Sequence, residues 1–169
     1  MRTIITILFV IAFNNLESQN VNEKLKLNDT WFGGELEIGV KKAIIRGRSH
    51  LKNFKESEKY NDIVQITWNV EKPTVNGIPT PDENISMSKI EDALIETIES
   101  DLQSILAFVQ TYDNTRTWFF YSQETEIFMT RLNKTFSKFK KLPISIELIE
   151  DTDWKVYDKV LEDFNIELK

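Results

Sequence analysis

In the segment DIVQITWNV, residues 62–70, apolar side chains alternate with mostly polar ones, with a period of two. From residue 64 onward its even-numbered side chains are all apolar, and they are Val64, Ile66, Trp68 and Val70. Successive side chains of a β-strand point to opposite faces of the sheet, so this pattern predicts a strand with its even-numbered residues in the core.

A loop and a helix follow this strand. Residues 71–84, EKPTVNGIPTPDEN, hold three prolines and an Asn-Gly pair, which are typical of a loop. We expect a helix to begin between Asn84 and Met87, because apolar residues then recur every three or four positions. They are Ile90, Leu94, Ile98, Leu102 and Ile105.

After this helix, the sequence predicts two strands, a second helix and a further strand. Two β-rich runs, residues 106–112 and 116–122, flank the turn-forming Asp113-Asn114-Thr115 and predict a hairpin. Residues 123–141 predict a basic amphipathic helix, and residues 144–149, ISIELI, predict another strand.

The order strand, helix, strand, strand, helix, strand predicts an α+β protein, a ferredoxin-like βαββαβ sandwich. Residues 30–47 before it read as an N-terminal β-hairpin, with Gly33 and Gly34 at a bend or bulge, and residues 151–164 as a short C-terminal helix. We expect the acidic first helix and the basic second helix to lie side by side on one sheet face, with Lys134 and Lys138 contributing to their attraction.

The N-terminus has the layout of a secretory signal. One cation, Arg2, precedes a continuous apolar run from Ile4 to Phe13, which is too short to span a membrane. We expect cleavage near Ser18 and export to the periplasm or the medium, with no transmembrane segment in the mature chain. The predicted organisation is then a signal at 1–18, a polar lead at 19–29, one domain at 30–164 and a tail at 165–169.

Composition excludes several classes of chemistry. The formal net charge of −6 makes nucleic acid an unfavourable partner, and the absence of cysteine removes thiol catalysis, disulfides and thiolate metal sites. His50 is the only histidine, and no phosphate loop, nucleophile elbow or dinucleotide fingerprint occurs. We therefore predict no catalytic residue, no metal ligand and no cofactor. Exposed aromatic residues on an open sheet face, with Trp118 and Tyr121 as candidates, could form a ligand surface.

The segment IEDTDWKVYD, residues 149–158, concentrates carboxylates before two aromatic residues. With Asp151 as N-cap, acidic residues in the first turn are explained by the helix dipole, and Trp154 and Tyr157 by packing on the sheet. A ligand role for Asp151 or Asp153 is the alternative.

Four elements in this order resemble the family catalogued as domain of unknown function 695. They are a Gly-Leu-Pro-like loop at Gly77 to Pro79, an Ile-Glu-Asp helix start at Ile90 to Asp92, a strand ending in Phe120 and Tyr121, and an Asp-x-x-Trp-x-x-Tyr element from Asp151 to Tyr157. The resemblance covers about residues 30–162. It implies a ferredoxin-like domain akin to the regulator-of-RNase-E-activity B proteins, and no established activity. The family-motif positions that we single out as site candidates are Gly77, Pro79, Glu91, Asp92, Tyr121, Asp151, Asp153, Trp154 and Tyr157.

Three functions are compatible with these observations. The first is an exported, non-catalytic module that binds a protein or a small ligand. The second is a nuclease-binding regulator, by analogy with the RNase E regulators. The third is an enzyme that uses acidic residues with a divalent cation.

Overall fold

The computed structural model describes residues 25–27, 29–39 and 41–169. The predicted signal at 1–18 lies outside the described residues. Six strands form one antiparallel sheet in the order β1-β2-β4-β5-β3-β6. They are β1 (Trp31–Ile38), β2 (Lys41–Arg48), β3 (Asp62–Asn69), β4 (Ser104–Tyr112), β5 (Thr115–Ser122) and β6 (Ile144–Glu150).

Four helices connect or follow these strands in the described part of the chain. They are α1 (Lys52–Glu56), α2 (Pro81–Ile98), α3 (Thr125–Phe136) and α4 (Lys155–Asp163). The α+β class, the N-terminal hairpin and the C-terminal helix are thus confirmed. Helix α2 begins earlier than predicted, because the Thr80 side chain accepts a hydrogen bond from the Glu83 N–H and Pro81 occupies the first turn.

Helices α2 and α3 pack together on one face of the sheet. The four even-numbered side chains of residues 64–70 are buried beneath them, as predicted. The ion pair between the two helical segments is not formed by the predicted lysines. Arg131 of α3 instead donates to both oxygens of Asp101, at 2.7 and 2.6 Å, while Lys134 and Lys138 are exposed.

The other face of the sheet is covered as well, so the prediction that one sheet face is open is wrong. Helices α1 and α4 pack against this face, and Ile166 and Leu168 of the C-terminal segment add to the same cluster. The Lys169 N–H donates to the Ser49 carbonyl at 2.7 Å, which holds the segment in place. Trp118 and Tyr121 are both fully buried, on opposite faces, and neither can form a surface for a ligand.

The β1–β2 hairpin extends the sheet on one side. Its pairing is regular from Trp31 opposite Arg48 to Ile38 opposite Lys41, so Gly33 and Gly34 form neither a bend nor a bulge. Gly34 instead leaves space for the Phe164 ring: an added Cβ would lie 2.6 Å from Phe164 Cε1. The hairpin is therefore packed on the α4 side of the sheet.

Candidate functional site

On the α2 side, the same hairpin is largely exposed to solvent. Ala43 and Ile45 of β2 are buried towards α4, whereas the alternating Ile44 is 40% exposed and Arg46 is half-buried. Register places Ile44 beside Thr111, and Thr111 beside Arg116. We call this surface the open strip, and it comprises Trp31, Gly33, Glu35, Ile44, Arg46 and Arg116, with the buried Thr111 beneath Arg116.

Glu91 of α2 lies at the inner side of the open strip. It is one helical turn from Met87 and Leu94, so it points at the sheet with the apolar stripe and is buried. Its carboxylate forms an ion pair with the Arg46 guanidinium and accepts a hydrogen bond from Trp118 Nε1 at 2.7 Å. Glu91 therefore joins the helix, the hairpin and the core of the sheet.

A second and deeper ion pair joins Arg48 to Glu99. The guanidinium, 2% exposed, donates to the two Glu99 oxygens at 2.6 and 3.1 Å and to the Leu106 carbonyl at 2.8 Å. Glu99 also accepts the Leu106 N–H at 2.6 Å. The Trp31 ring lies over this guanidinium in a cation–π arrangement, with Arg48 Cζ 4.7 Å from the centroid of the ring. Arg48 is thus largely satisfied by internal partners.

Arg116 is the third arginine of the group, and its surroundings are different. It is half-buried, and its Nε donates to the Thr111 hydroxyl at 3.0 Å. Within the described residues, no carboxylate lies within ion-pair distance of this guanidinium. Burial lowers the pKa of Arg116, the Arg46 charge lowers it further, and Glu91 raises it. The strip therefore holds an arginine whose charge lacks a partner at contact distance.

Four predicted site residues come together on the opposite face, where they serve packing. Trp154 stacks on Tyr121 at a centroid distance of 3.9 Å, and both are buried with Tyr157 and Asp151. The Asp151 carboxylate accepts the Tyr121 hydroxyl at 2.6 Å. A bound ligand could reach none of these groups without opening the core.

Helix α4 begins later than predicted, at Lys155, and its N-cap residue is Trp154 in the left-handed conformation, with φ of 58°. The expectation that Asp151 is the N-cap residue is therefore wrong. Its carboxylate nevertheless accepts the N–H groups of Lys155 and Val156, at 2.8 and 3.0 Å, so it satisfies the first turn from outside the helix.

The other predicted site residues lie apart from both groups. Gly77, with φ of +72°, accepts the Asn114 N–H at 2.8 Å, so its loop, which includes the buried Pro79, docks on the β4–β5 turn. Asp92 is exposed on α2, and the exposed Asp153 pairs with Lys155 at 2.9 Å. Of the nine candidates, only Glu91 belongs to the group around the open strip.

Sequence reasoning missed the arginines. In the segment Arg46-Gly47-Arg48, the two arginine side chains lie on the same side of a strand, and this spacing could have indicated a pair of arginines. Their glutamate partners are 45 and 51 residues away, and no local pattern shows such a distance.

The described residues hold no group of three or more Asp, Glu or His side chains suited to a metal ion. Of the helices in the described ranges, none has the length and apolarity needed to cross a bilayer.

Comparison with known proteins identifies one family. The family of unknown function DUF695 matches residues 29–161, which confirms the family resemblance. No curated protein matches the chain, and no solved structure does. The similarity to the regulator-of-RNase-E-activity B proteins stays a prediction.

Proposed function

The chain belongs to the DUF695 family, and we propose that it is a non-catalytic binding module that holds a carboxylate-bearing partner on the open strip. The observation that carries this proposal is Arg116, whose half-buried guanidinium has no carboxylate at contact distance within the described residues. A carboxylate from a partner would supply that contact.

The residues around Arg116 suit this ligand class. A guanidinium binds a carboxylate through two parallel hydrogen bonds, which are stronger than those between neutral groups. Besides burial, which lowers the pKa of Arg116, Glu91 raises it and Arg46 lowers it, so an added carboxylate would meet two guanidinium groups and one existing carboxylate. Exposed Ile44 and the half-buried Trp31 offer apolar contact beside the charges.

The same strip disfavours a polyanion. Glu35 and Glu37 are exposed on the same side of β1, and the net charge of the chain is −6. An extended phosphate backbone would meet these charges, whereas a single carboxylate or a short acidic segment would not. We therefore favour a protein or a small organic acid over nucleic acid.

We also infer a ferredoxin-like arrangement for residues 62–150. The strand order β4-β5-β3-β6, with α2 and α3 on one face, supports this inference. The open strip then results from two added strands, because β1 and β2 extend the sheet past the two helices. Export remains part of the proposal, supported by the N-terminal apolar run, and an intact mass lacking residues 1–18 in the envelope or medium tests it.

The binding test uses a substitution with a matched control. Binding of a short oligoglutamate peptide, and separately of succinate, is measured by titration calorimetry for the natural protein, Arg116→Gln and Arg131→Gln. We expect Arg116→Gln to weaken binding about tenfold, whereas Arg131→Gln removes an arginine from the Asp101 pair and leaves affinity unchanged. Equal affinity for all three proteins, or no binding by the natural protein, would contradict the proposal.

A further inference from the structure

Strand β6 forms an edge of the sheet. It pairs with β3 alone among the described strands, and five of its seven residues are exposed. The side that begins with the partly buried Ile144 continues with Ile146 and Leu148, which are 38% and 54% exposed. Natural proteins usually protect such an edge with charge, proline or a bulge. Glu147 and Glu150 supply exposed charge on β6, yet Ile146 and Leu148 still leave an exposed apolar stretch that suits a partner strand.

We propose that β6 pairs antiparallel with β6 of a second copy of this chain. The proposal is independent of the open strip, because β2 lies four positions from β6 in the strand order.

Hydrogen bonding limits the possible registers of this pair. The Asn69 N–H donates to Pro143 O, and the Asp151 N–H donates to Asn61 O, both at 2.8 Å. The odd-numbered residues of this strand therefore direct their N–H and C=O groups towards β3. The even-numbered residues direct theirs outward, and these groups are the ones a second strand would bond.

Side-chain chemistry fits the register whose two-fold axis passes through Ile146. A two-fold axis through Ile146 sets Ile146 opposite itself and Ile144 opposite Leu148, so three apolar pairs lie on one side. It also brings Lys140 and Lys141, which are exposed, to the end of the second strand where Glu150 lies. Moving the axis to Glu147 would oppose two like charges, which is unfavourable. The strand is therefore self-complementary in the first register.

A strand of seven residues buries little area, so the dimer is expected to be weak and concentration-dependent. The absence of cysteine from the chain allows a register-specific test. In Ile146→Cys the two introduced thiols face each other across the axis, whereas Ile44→Cys places a thiol at an equally exposed isoleucine of β2. Under mild oxidation, we expect Ile146→Cys to form a covalent dimer at least about tenfold faster than Ile44→Cys. Equal rates would overturn the proposal.

Sedimentation equilibrium provides a second measurement that needs no cysteine. The natural protein is expected to approach twice its monomer mass as its concentration rises. Ile146→Lys should remain monomeric, because it sets two cations opposite each other, and Ile44→Lys should reach the same mass as the natural protein at each concentration. A natural protein that stays monomeric at high concentration would overturn the proposal, and would leave β6 available only to a different chain.

Discussion

At the residue scale, two glutamates that look ordinary in the sequence, Glu91 and Glu99, are buried and paired with arginines. Glu91 and Asp92 are adjacent acidic residues, yet the first is buried against Trp118 and the second is exposed. The phase of the apolar stripe decides this difference, since Glu91 falls between Met87 and Leu94 on the inner side of α2. Helical phase could therefore have separated the two, but it could not have named their partners.

The buried pair Arg48–Glu99 yields a prediction about stability. Arg48→Met leaves the Glu99 carboxylate buried with the Leu106 N–H as its donor, so we expect a loss of about 3 to 5 kcal/mol in the free energy of unfolding. The double variant Arg48→Met, Glu99→Leu should recover part of that loss, because no buried charge remains. Urea denaturation measures both. A single variant no less stable than the double variant would show that the charge is not held in a dry environment.

At the element scale, the fold was predicted where the pattern was local. The period of two in β3 and the three-to-four spacing of α2 identified both elements, because each has one buried face. The packing of helices on the second sheet face was not predicted, although residues 105–109 of β4, ILAFV, form a continuous apolar run that is typical of a strand buried on both faces. Six successive residues from Ser104 to Val109 are buried, as a strand covered on both sides requires.

Two adjacent glycines of β1, Gly33 and Gly34, differ in how much space surrounds an added methyl group. Gly34→Ala places a methyl group 2.6 Å from the Phe164 ring and should cost about 1 to 3 kcal/mol, because the ring holds α4 against the hairpin. Gly33→Ala is the matched control: its nearest neighbour is the Ile45 carbonyl oxygen at 3.5 Å, an ordinary contact, so stability should change by no more than about 0.5 kcal/mol. Thermal unfolding of the two variants distinguishes them. Equal losses would mean that β1 tolerates no side chain at either position, irrespective of Phe164.

At the scale of the whole molecule, topology creates the features that no single segment contains. The open strip exists because two strands continue beyond the helices that cover the rest of the sheet, and the edge at β6 exists because β6 is last in the strand order. The order of elements could be predicted from residues 62–150, whereas the sheet order and the arginine cluster depend on contacts between distant segments. The family assignment agrees with the ordered motifs, most of which serve packing: the loop docked on a turn, the aromatic strand and the Asp-Trp-Tyr element.

That aromatic packing predicts how the whole molecule responds to alkali. Burial raises the pKa of Tyr60 to about 12, and burial also raises the pKa of Tyr157 and, together with its bond to Asp151, that of Tyr121. In the unfolded chain each phenol ionises near its ordinary pKa of 10.0. The native state therefore keeps protons that the unfolded state loses, and stability that is fully present below about pH 10 falls as the pH rises towards each native pKa.

Each such tyrosine contributes a slope of up to about 1.4 kcal/mol per pH unit in this window. Tyr60→Phe removes one of the three and should make the alkaline fall in unfolding free energy shallower by about that amount. Urea denaturation between about pH 9 and pH 11.5 measures the slope, and ionisation of lysines and arginines largely cancels between the two proteins. Identical slopes would show that Tyr60 reaches water in the native state, and the packing of its ring against Trp154 and Phe54 would then be looser than these contacts indicate.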